Sequence, residues 1–320
     1  MRERLAIGAI GVVLLVGCGS SGSAANTGAG DAGVDAGGGI DATSPIDASS
    51  DAPPAPTEAA AETGTPGDGA IGTDAADATS GGEGGAGEGG APLQSIAIPM
   101  YMDPSAPDWA QETSAAPTVS FVIANPNSGP GTAVDAGYTQ AIVTAHGAGQ
   151  TIVGYVHTAY GARAIADVEA DIDAWYSFYP AIDGIFSDET ATDPTKVAAY
   201  YAPLYAYVKA KSGKHIVVIN PGTPPDESYM TASDIVMSFE DTYANYVTAM
   251  TPSWVATYPR TRFWHVVLSA TQAEMGMAVA LARQRNAGLI YVTDQPPATA
   301  YQQLVTGAYW QAELAAVEAP

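Results

Sequence analysis

Residues 182–189 read Ile182-Asp-Gly-Ile-Phe-Ser-Asp188-Glu189, with Thr-Ala-Thr-Asp-Pro following. This is a short apolar run, broken only by Asp183 and Gly184, that ends on two adjacent carboxylates. In a chain that alternates strand and helix, strands finishing this way put acids at the carboxyl-end rim of a parallel barrel, where such barrels do their chemistry. Two carboxyl groups converging on a sugar are also the minimum equipment for glycoside hydrolysis. The plainer alternative is one acid capping the next helix and the other solvated. The surroundings favour chemistry.

Working outward, apolar and β-branched runs recur on both sides. Strands are predicted at 96–101, 119–124, 151–156, 182–187, 215–219, 235–239, 263–268 and 288–292. Helices are predicted between them at 164–176, 197–211, 272–286 and 301–317, the first carrying Ile165, Val168, Ile172 and Trp175 at helical intervals. The stretch 240–258 is ambiguous because Thr251-Pro252 interrupts it. Eight strands alternating with helices predict a parallel sheet closed as a (β/α)8 TIM-type barrel. A doubly wound open sheet is the runner-up, but it would show a glycine-rich phosphate turn after its first strand, and Tyr101-Met-Asp-Pro is no such turn.

The amino-terminal part has a different character. Arg2 and Arg4 precede an uncharged apolar run from Leu5 to Val16, too short for a comfortable membrane span. It closes on Leu15-Val16-Gly17-Cys18, which resembles a bacterial lipobox, and Cys18 is the one cysteine in the 320 residues. Residues 1–18 therefore read as a lipoprotein signal peptide with Cys18 as the lipidated residue. Residues 19–92 hold 12 acids, no Lys or Arg and no aromatic residue. Such a composition cannot bury enough apolar surface to offset chain entropy, so it is expected to be disordered and, being self-repelling, extended. It reads as an acidic tether that holds a domain away from a membrane at the cell envelope, outside the cytoplasm.

Every aromatic residue lies at or beyond Tyr101, so the core is expected to begin near Leu93, and residues 93–320 suit one barrel. That part keeps 21 acids against 9 bases. An excess of acid argues against nucleic acid as a partner, since phosphate binding needs a basic face. No pair of histidines has metal-ligand spacing and the sole cysteine is assigned to the signal, so neither a metal site nor a cofactor is expected. No Gly-x-Ser-x-Gly elbow supports serine hydrolase chemistry. A monomer is expected.

If the barrel closes, its strand ends form one list of polar side chains. They are Tyr101 and Asp103, Asn125 and Asn127, His157 and Tyr160, Asp188 and Glu189, Asn220, Glu240 and Asp241, Ser269, and Asp294. That density of acids and amides suits a sugar-binding cleft, whose ligand offers many hydroxyls. Taken alone, Asn125-Pro-Asn127-Ser-Gly-Pro reads as a turn. His157 reads equally as a structural histidine, and His215 and His265 as core residues.

Several motifs, in order, resemble the spherulin-4 family. They are Ile98-Pro-Met-Tyr101, Val122-Ile-Ala-Asn-Pro-Asn-Ser-Gly-Pro130, Gly154-Tyr-Val-His-Thr-Ala-Tyr-Gly161, Asp171-Ile-Asp173, Asp183-Gly-Ile-Phe-Ser-Asp-Glu189, Val218-Ile-Asn-Pro-Gly222 and Ser238-Phe-Glu240. The resemblance spans nearly all of 95–300 and implies a (β/α)8 glycoside hydrolase acting on α-1,4-linked galactosamine or N-acetylgalactosamine in secreted, biofilm-type polysaccharide. It places the family's acidic site residues on Asp188, Glu189 and Glu240. Ser187 departs from the family, which often has a second Phe or another apolar residue there.

Chemistry assigns provisional roles to the three acids. Glu189, with the longer reach, is expected to be the general acid, and Asp188 or Glu240 the nucleophile or base. Adjacent strand residues point to opposite faces, so unless the strand end bends, one of Asp188 and Glu189 is expected to partner Glu240 across the rim. An acetamido group cis to the departing oxygen cannot replace a protein nucleophile. Retention is favoured over inversion, with endo-action on the polymer. The rival reading is a lipid-tethered glycan-binding or adhesion protein without turnover; a third is a barrel hydrolase for another polysaccharide.

Overall fold

The computed structural model describes residues 94–319, and the signal, Cys18 and the whole of the tether lie outside them. Eight parallel strands close into a barrel in sequence order, each paired with its neighbours and the last with the first. They are β1 (Ser95–Met100), β2 (Val119–Ala124), β3 (Thr151–His157), β4 (Gly184–Asp188), β5 (Ile216–Ile219), β6 (Ile235–Thr242), β7 (Phe263–Leu268) and β8 (Leu289–Val292). The helices are α1 (Pro107–Thr113), α2 (Ala136–Gly147), α3 (Ile165–Phe178), α4 (Ala202–Lys211), α5 (Tyr243–Tyr246), α6 (Gln272–Gln284) and α7 (Gly307–Glu318). Every strand is buried along most of its length, as a parallel sheet covered by helices requires. No helix among the described residues is long and apolar enough to cross a membrane.

The two residues that break the apolar run of 182–189 belong to the architecture. A Cβ on Gly184 would lie 2.0 Å from the backbone oxygen of Ile216, so only glycine lets β4 and β5 approach as they do. The Asp183 carboxylate accepts from the Ile152 backbone N–H at 2.8 Å. Asp234 does the same for Val217 at 2.8 Å, and Glu313 for Val292 at 3.0 Å. These carboxylates satisfy strand N–H groups that the ladder leaves over.

Aromatic rings fill the barrel's interior as a continuous stack. Phe121 meets Trp264 with centroids 5.6 Å apart, Trp264 meets Phe186 at 6.1 Å, and Phe186 meets Tyr155 at 6.0 Å. Tyr155 meets Tyr101 at 5.7 Å, and Tyr101 meets Tyr301 at 5.2 Å. The stack is apolar at its base and gains hydroxyls toward the rim.

Three local expectations change. The helix expected over 301–317 begins only at Gly307, because Gly307 takes a φ of 58° and the segment before it is loop; Tyr301 is thereby free to enter the barrel mouth. The ambiguous 240–258 holds the end of β6, the one-turn α5 and a 3-10 turn at Ser253–Thr257. The helix expected from 197 opens with a π-helical turn, Val197–Tyr201, before α4. Both α1 and α2 occupy stretches for which the sequence predicts no helix.

Candidate active site

Four neighbouring strands, β3 to β6, and one loop build the site. On β4, Phe186 points into the ring stack, and Asp188, two residues on, shares its face. From the neighbouring β3, the Tyr155 hydroxyl donates to Asp188 Oδ2 at 2.7 Å. Asn220 follows directly on β5, and its Nδ2 donates to Asp188 Oδ1 at 2.8 Å and to Glu240 Oε2 at 2.5 Å. Asn220 Oδ1 is occupied by the Gly222 N–H at 2.9 Å, which turns the amide so that its NH2 group faces the acids. The Tyr301 hydroxyl, from the loop after β8, donates to the other oxygen of Glu240. Two bonds to one nitrogen hold the facing oxygens of Asp188 and Glu240 no more than about 5.3 Å apart.

The electrostatics follow from this crowding. Burial, and then the charge of Glu240, pushes the Asp188 carboxyl up to about 7, although Tyr155 and Asn220 favour its ionised form. Near neutrality the Asp188 carboxyl is therefore poised between its protonated and ionised forms, with Glu240 beside it. Burial first, then neighbouring negative charge, raises the hydroxyls of Tyr101, Tyr155 and Tyr301 well above the usual tyrosine range. All three stay protonated and act only as neutral hydrogen-bonding groups.

Glu189 is set differently. The chain leaves the extended conformation there, with φ at 51°, so strand alternation ends at Asp188. Its carbonyl accepts from the Tyr160 N–H at 2.7 Å and the Thr158 hydroxyl at 2.8 Å, and the Thr158 hydroxyl also reaches the Asp188 carbonyl at 3.0 Å. Those contacts hold a backbone conformation that costs a non-glycine residue about 1–3 kcal/mol. The Glu189 side chain is half-buried and makes no hydrogen bond among the described residues. Of the two adjacent acids, Asp188 is the one that Asn220 bridges to Glu240.

Of the other residues singled out, Tyr101 and Asn220 lie in the cleft. Tyr160 stands at the rim, 51 % exposed, and partial burial followed by the charges of Glu189 and Asp188 raises its hydroxyl. His157 ends β3, half-buried, and its carbonyl accepts from Arg163 at 3.1 Å. Four residues are engaged in local turns. Asp103 accepts from the Ser105 N–H at 2.8 Å and its hydroxyl at 2.6 Å. Asn125 accepts from the Gly129 N–H at 2.9 Å, with Asn127 exposed in the same turn. Asp294 is exposed and accepts from Gln295 at 2.7 Å. Ser187 is buried and its carbonyl accepts from the Asn220 N–H at 2.9 Å, which ties β5 to the base of the site. No group of three or more potential ligands among the described residues could hold a metal ion.

Tyr155 and Tyr301, both in direct contact with the acids, were not singled out from sequence. For Tyr155 a signal existed, since it shares the parity of His157 in β3. For Tyr301 there was none, because its segment reads as the start of a helix.

Comparison with known proteins agrees with this architecture. The model of the spherulation-specific family 4 matches residues 95–317. Spherulin-4 of Physarum polycephalum is 36 % identical over 236 residues, covering 70 % of this chain and 70 % of that protein. The crystal structure of Aspergillus clavatus Sph3 in complex with N-acetylgalactosamine superposes with a TM-score of 0.62 at 28 % identity, covering 71 % of this chain and 98 % of that one. The chain belongs to the spherulation-specific family 4, the spherulin-4 family.

Proposed function

We propose that this protein is a glycoside hydrolase that cuts polysaccharide containing galactosamine or N-acetylgalactosamine, working from within the chain. The observation that carries the reading is the pair Asp188–Glu240 at the carboxyl-end rim, bridged by Asn220 with facing oxygens no more than about 5.3 Å apart. So short an upper limit favours the retaining arrangement, with carboxyl groups about 5–5.5 Å apart, over inversion, which needs about 6.5–9.5 Å to admit a water between acid and base. The bound N-acetylgalactosamine of the Aspergillus clavatus relative supports the class of sugar. The α-1,4 linkage and endo-action rest on the family resemblance.

In this reading Asp188 is the nucleophile. Its carboxylate is short and held on both oxygens, by Tyr155 and Asn220, so it can attack the anomeric carbon from a fixed position. Glu240 has the longer side chain and serves as general acid, giving a proton to the departing oxygen and then taking one from the incoming water. Glu189 moves from the general-acid role expected of it to that of a neighbour at the mouth, because it stands outside the bridged pair. Tyr155 and Tyr301 keep each carboxylate oriented. An envelope location through a lipid on Cys18, with residues 19–92 as tether, completes the proposal.

The test is incubation of the protein with a panel of amino-sugar polymers, with products read by mass spectrometry and the anomer first formed read by NMR. Release of oligosaccharides with the α configuration kept supports the reading. Binding without cleavage would give the case to a glycan-binding protein.

A further inference from the structure

Glu240 reaches the cleft only because β6 is irregular. Met237 pairs with Trp264, an interior residue of the ring stack, but Phe239 pairs with His265 and Glu240 with Val266, so Ser238 is an extra residue on β6 with no counterpart on β7. Strict alternation from Met237 would put Phe239 inside and Glu240 outside. One inserted residue reverses that order, and bulges beside active sites re-aim a side chain in this way.

The bulge is backed by a polar chain on the outer side of the sheet. His265 is buried, its Nε2 lies 3.2 Å from the Ser238 hydroxyl, and its Nδ1 lies 2.8 Å from the Tyr246 hydroxyl. Arg285 donates to the carbonyls of Tyr246 at 2.6 Å and Ala249 at 2.7 Å, and its guanidinium lies 4.6 Å from the centre of the Tyr246 ring. Burial, and then the Arg285 charge, pushes His265 down to about 3, so the ring is neutral: one nitrogen donates and the other accepts. These groups line a cavity of about 410 Å³ behind β6, and the polar side chains Ser238, His265, Tyr246 and Arg285 are bonded to one another or to backbone. Gly222, on its wall, also approaches Glu240: a Cβ there would lie 4.0 Å from the Glu240 Cβ.

We propose that Ser238, His265 and Tyr246 are positioning residues that fix the bulge of β6 and so hold Glu240 in the cleft, opposite Asp188. None of the three touches the cleft. They act on the reaction through Glu240, and that consequence rests on the hydrolase reading above.

The test uses Ser238→Ala and Tyr246→Phe, each of which removes one hydroxyl, with Val255→Ala as a packing control in the same cavity. The titration of Asp188 is followed by carboxyl 13C NMR, which needs no substrate. With Glu240 turned away, Asp188 loses the like charge beside it, and its pKa falls by about one unit or more. In a turnover assay kcat falls about tenfold or more while KM changes little. Val255→Ala lowers the melting temperature and leaves the Asp188 titration in place. The proposal is overturned if Asp188 titrates as in the wild type in both hydroxyl variants, or if Val255→Ala shifts it as far as they do. A wild-type protein that cleaves no polymer would defeat the hydrolase reading, while the Asp188 titration would still decide whether the bulge positions Glu240.

Discussion

Asp188 and Glu240 accept hydrogen bonds from the same nitrogen, Nδ2 of Asn220, at 2.8 and 2.5 Å. Two carboxylates that close cannot both be ionised at little cost in a site shielded from water. The shared donor offsets part of that cost, but burial first and then the Glu240 charge still push the Asp188 carboxyl up to about 7. Asn220 is therefore the residue on which the balance of the pair depends.

Replacing Asn220 by Ala removes a donor that favours the ionised forms. The pair's upper pKa should rise, moving the alkaline limb of kcat/KM to higher pH. The rate at the optimum should fall about tenfold to a hundredfold, the range for loss of a hydrogen bond to a charged group. A pH–rate profile of this variant beside the wild type checks both effects; an alkaline limb that moves to lower pH contradicts the proposed role of the bridge.

In the proposed mechanism the wild-type pair shares one proton, so activity depends on that proton. It should decline as pH rises through about 7, the value to which burial and Glu240 push Asp188. A rate that holds level from pH 6 to 9 would show that no shared proton is used.

Tyr155→Phe and Tyr301→Phe each remove one hydroxyl from one acid. Each should lower kcat about tenfold or more, with the melting temperature within a few degrees of wild type, since both rings keep their place in the stack. Kinetics and thermal melts on the same preparations separate this from a loss of packing. Unchanged kcat in both variants would remove the tyrosines from the mechanism.

Stability should also depend on pH. Burial pushes Glu313 up to about 8 and Glu112 to about 7, beside Asp188 at about 7. An unfolded chain releases these protons near pH 4, so between there and pH 8 the folded state holds more protons, and stability falls as pH rises. The melting temperature should be lower at pH 9 than at pH 5, and Glu313→Gln should make that dependence shallower. An equally steep fall in the variant would remove Glu313 from the cause.

What was legible in the sequence was the barrel and the set of acids, and the reason is local. A buried parallel strand is an apolar run, and its first polar residues mark the rim, so Asp188, Asn220 and Glu240 could be picked out where β4, β5 and β6 end. Which acids pair could not be read, because it turns on two departures from regular strand. One is the φ of 51° at Glu189 and the other is the bulge at Ser238. Tyr301 was hidden for a related reason: the loop that delivers it exists only because α7 starts late, at Gly307. Asp103 and Asn125 sit at strand ends and yet serve turns, since Asp and Asn satisfy nearby backbone N–H groups as readily as they bind a ligand.

The lipid anchor can be tested apart from the barrel. Cys18→Ser should release the protein from the membrane fraction, because the acyl chains proposed on Cys18 are its hydrophobic anchor once the signal is cut. Membrane fractionation followed by immunoblotting reads the outcome, and a variant processed normally yet still bound to membrane would contradict it.

The most direct measurement for the central claim is the release of reducing ends from an N-acetylgalactosamine polymer by the wild type, Asp188→Asn, Glu240→Gln and Glu189→Gln. The expected result is cleavage by the wild type and a loss of about a hundredfold or more for Asp188→Asn and Glu240→Gln, with binding kept. Glu189→Gln should be affected less than either. Full activity in the Asp188 or Glu240 variant, or a wild type that binds the polymer and never cuts it, would contradict the claim that this pair is a hydrolytic site.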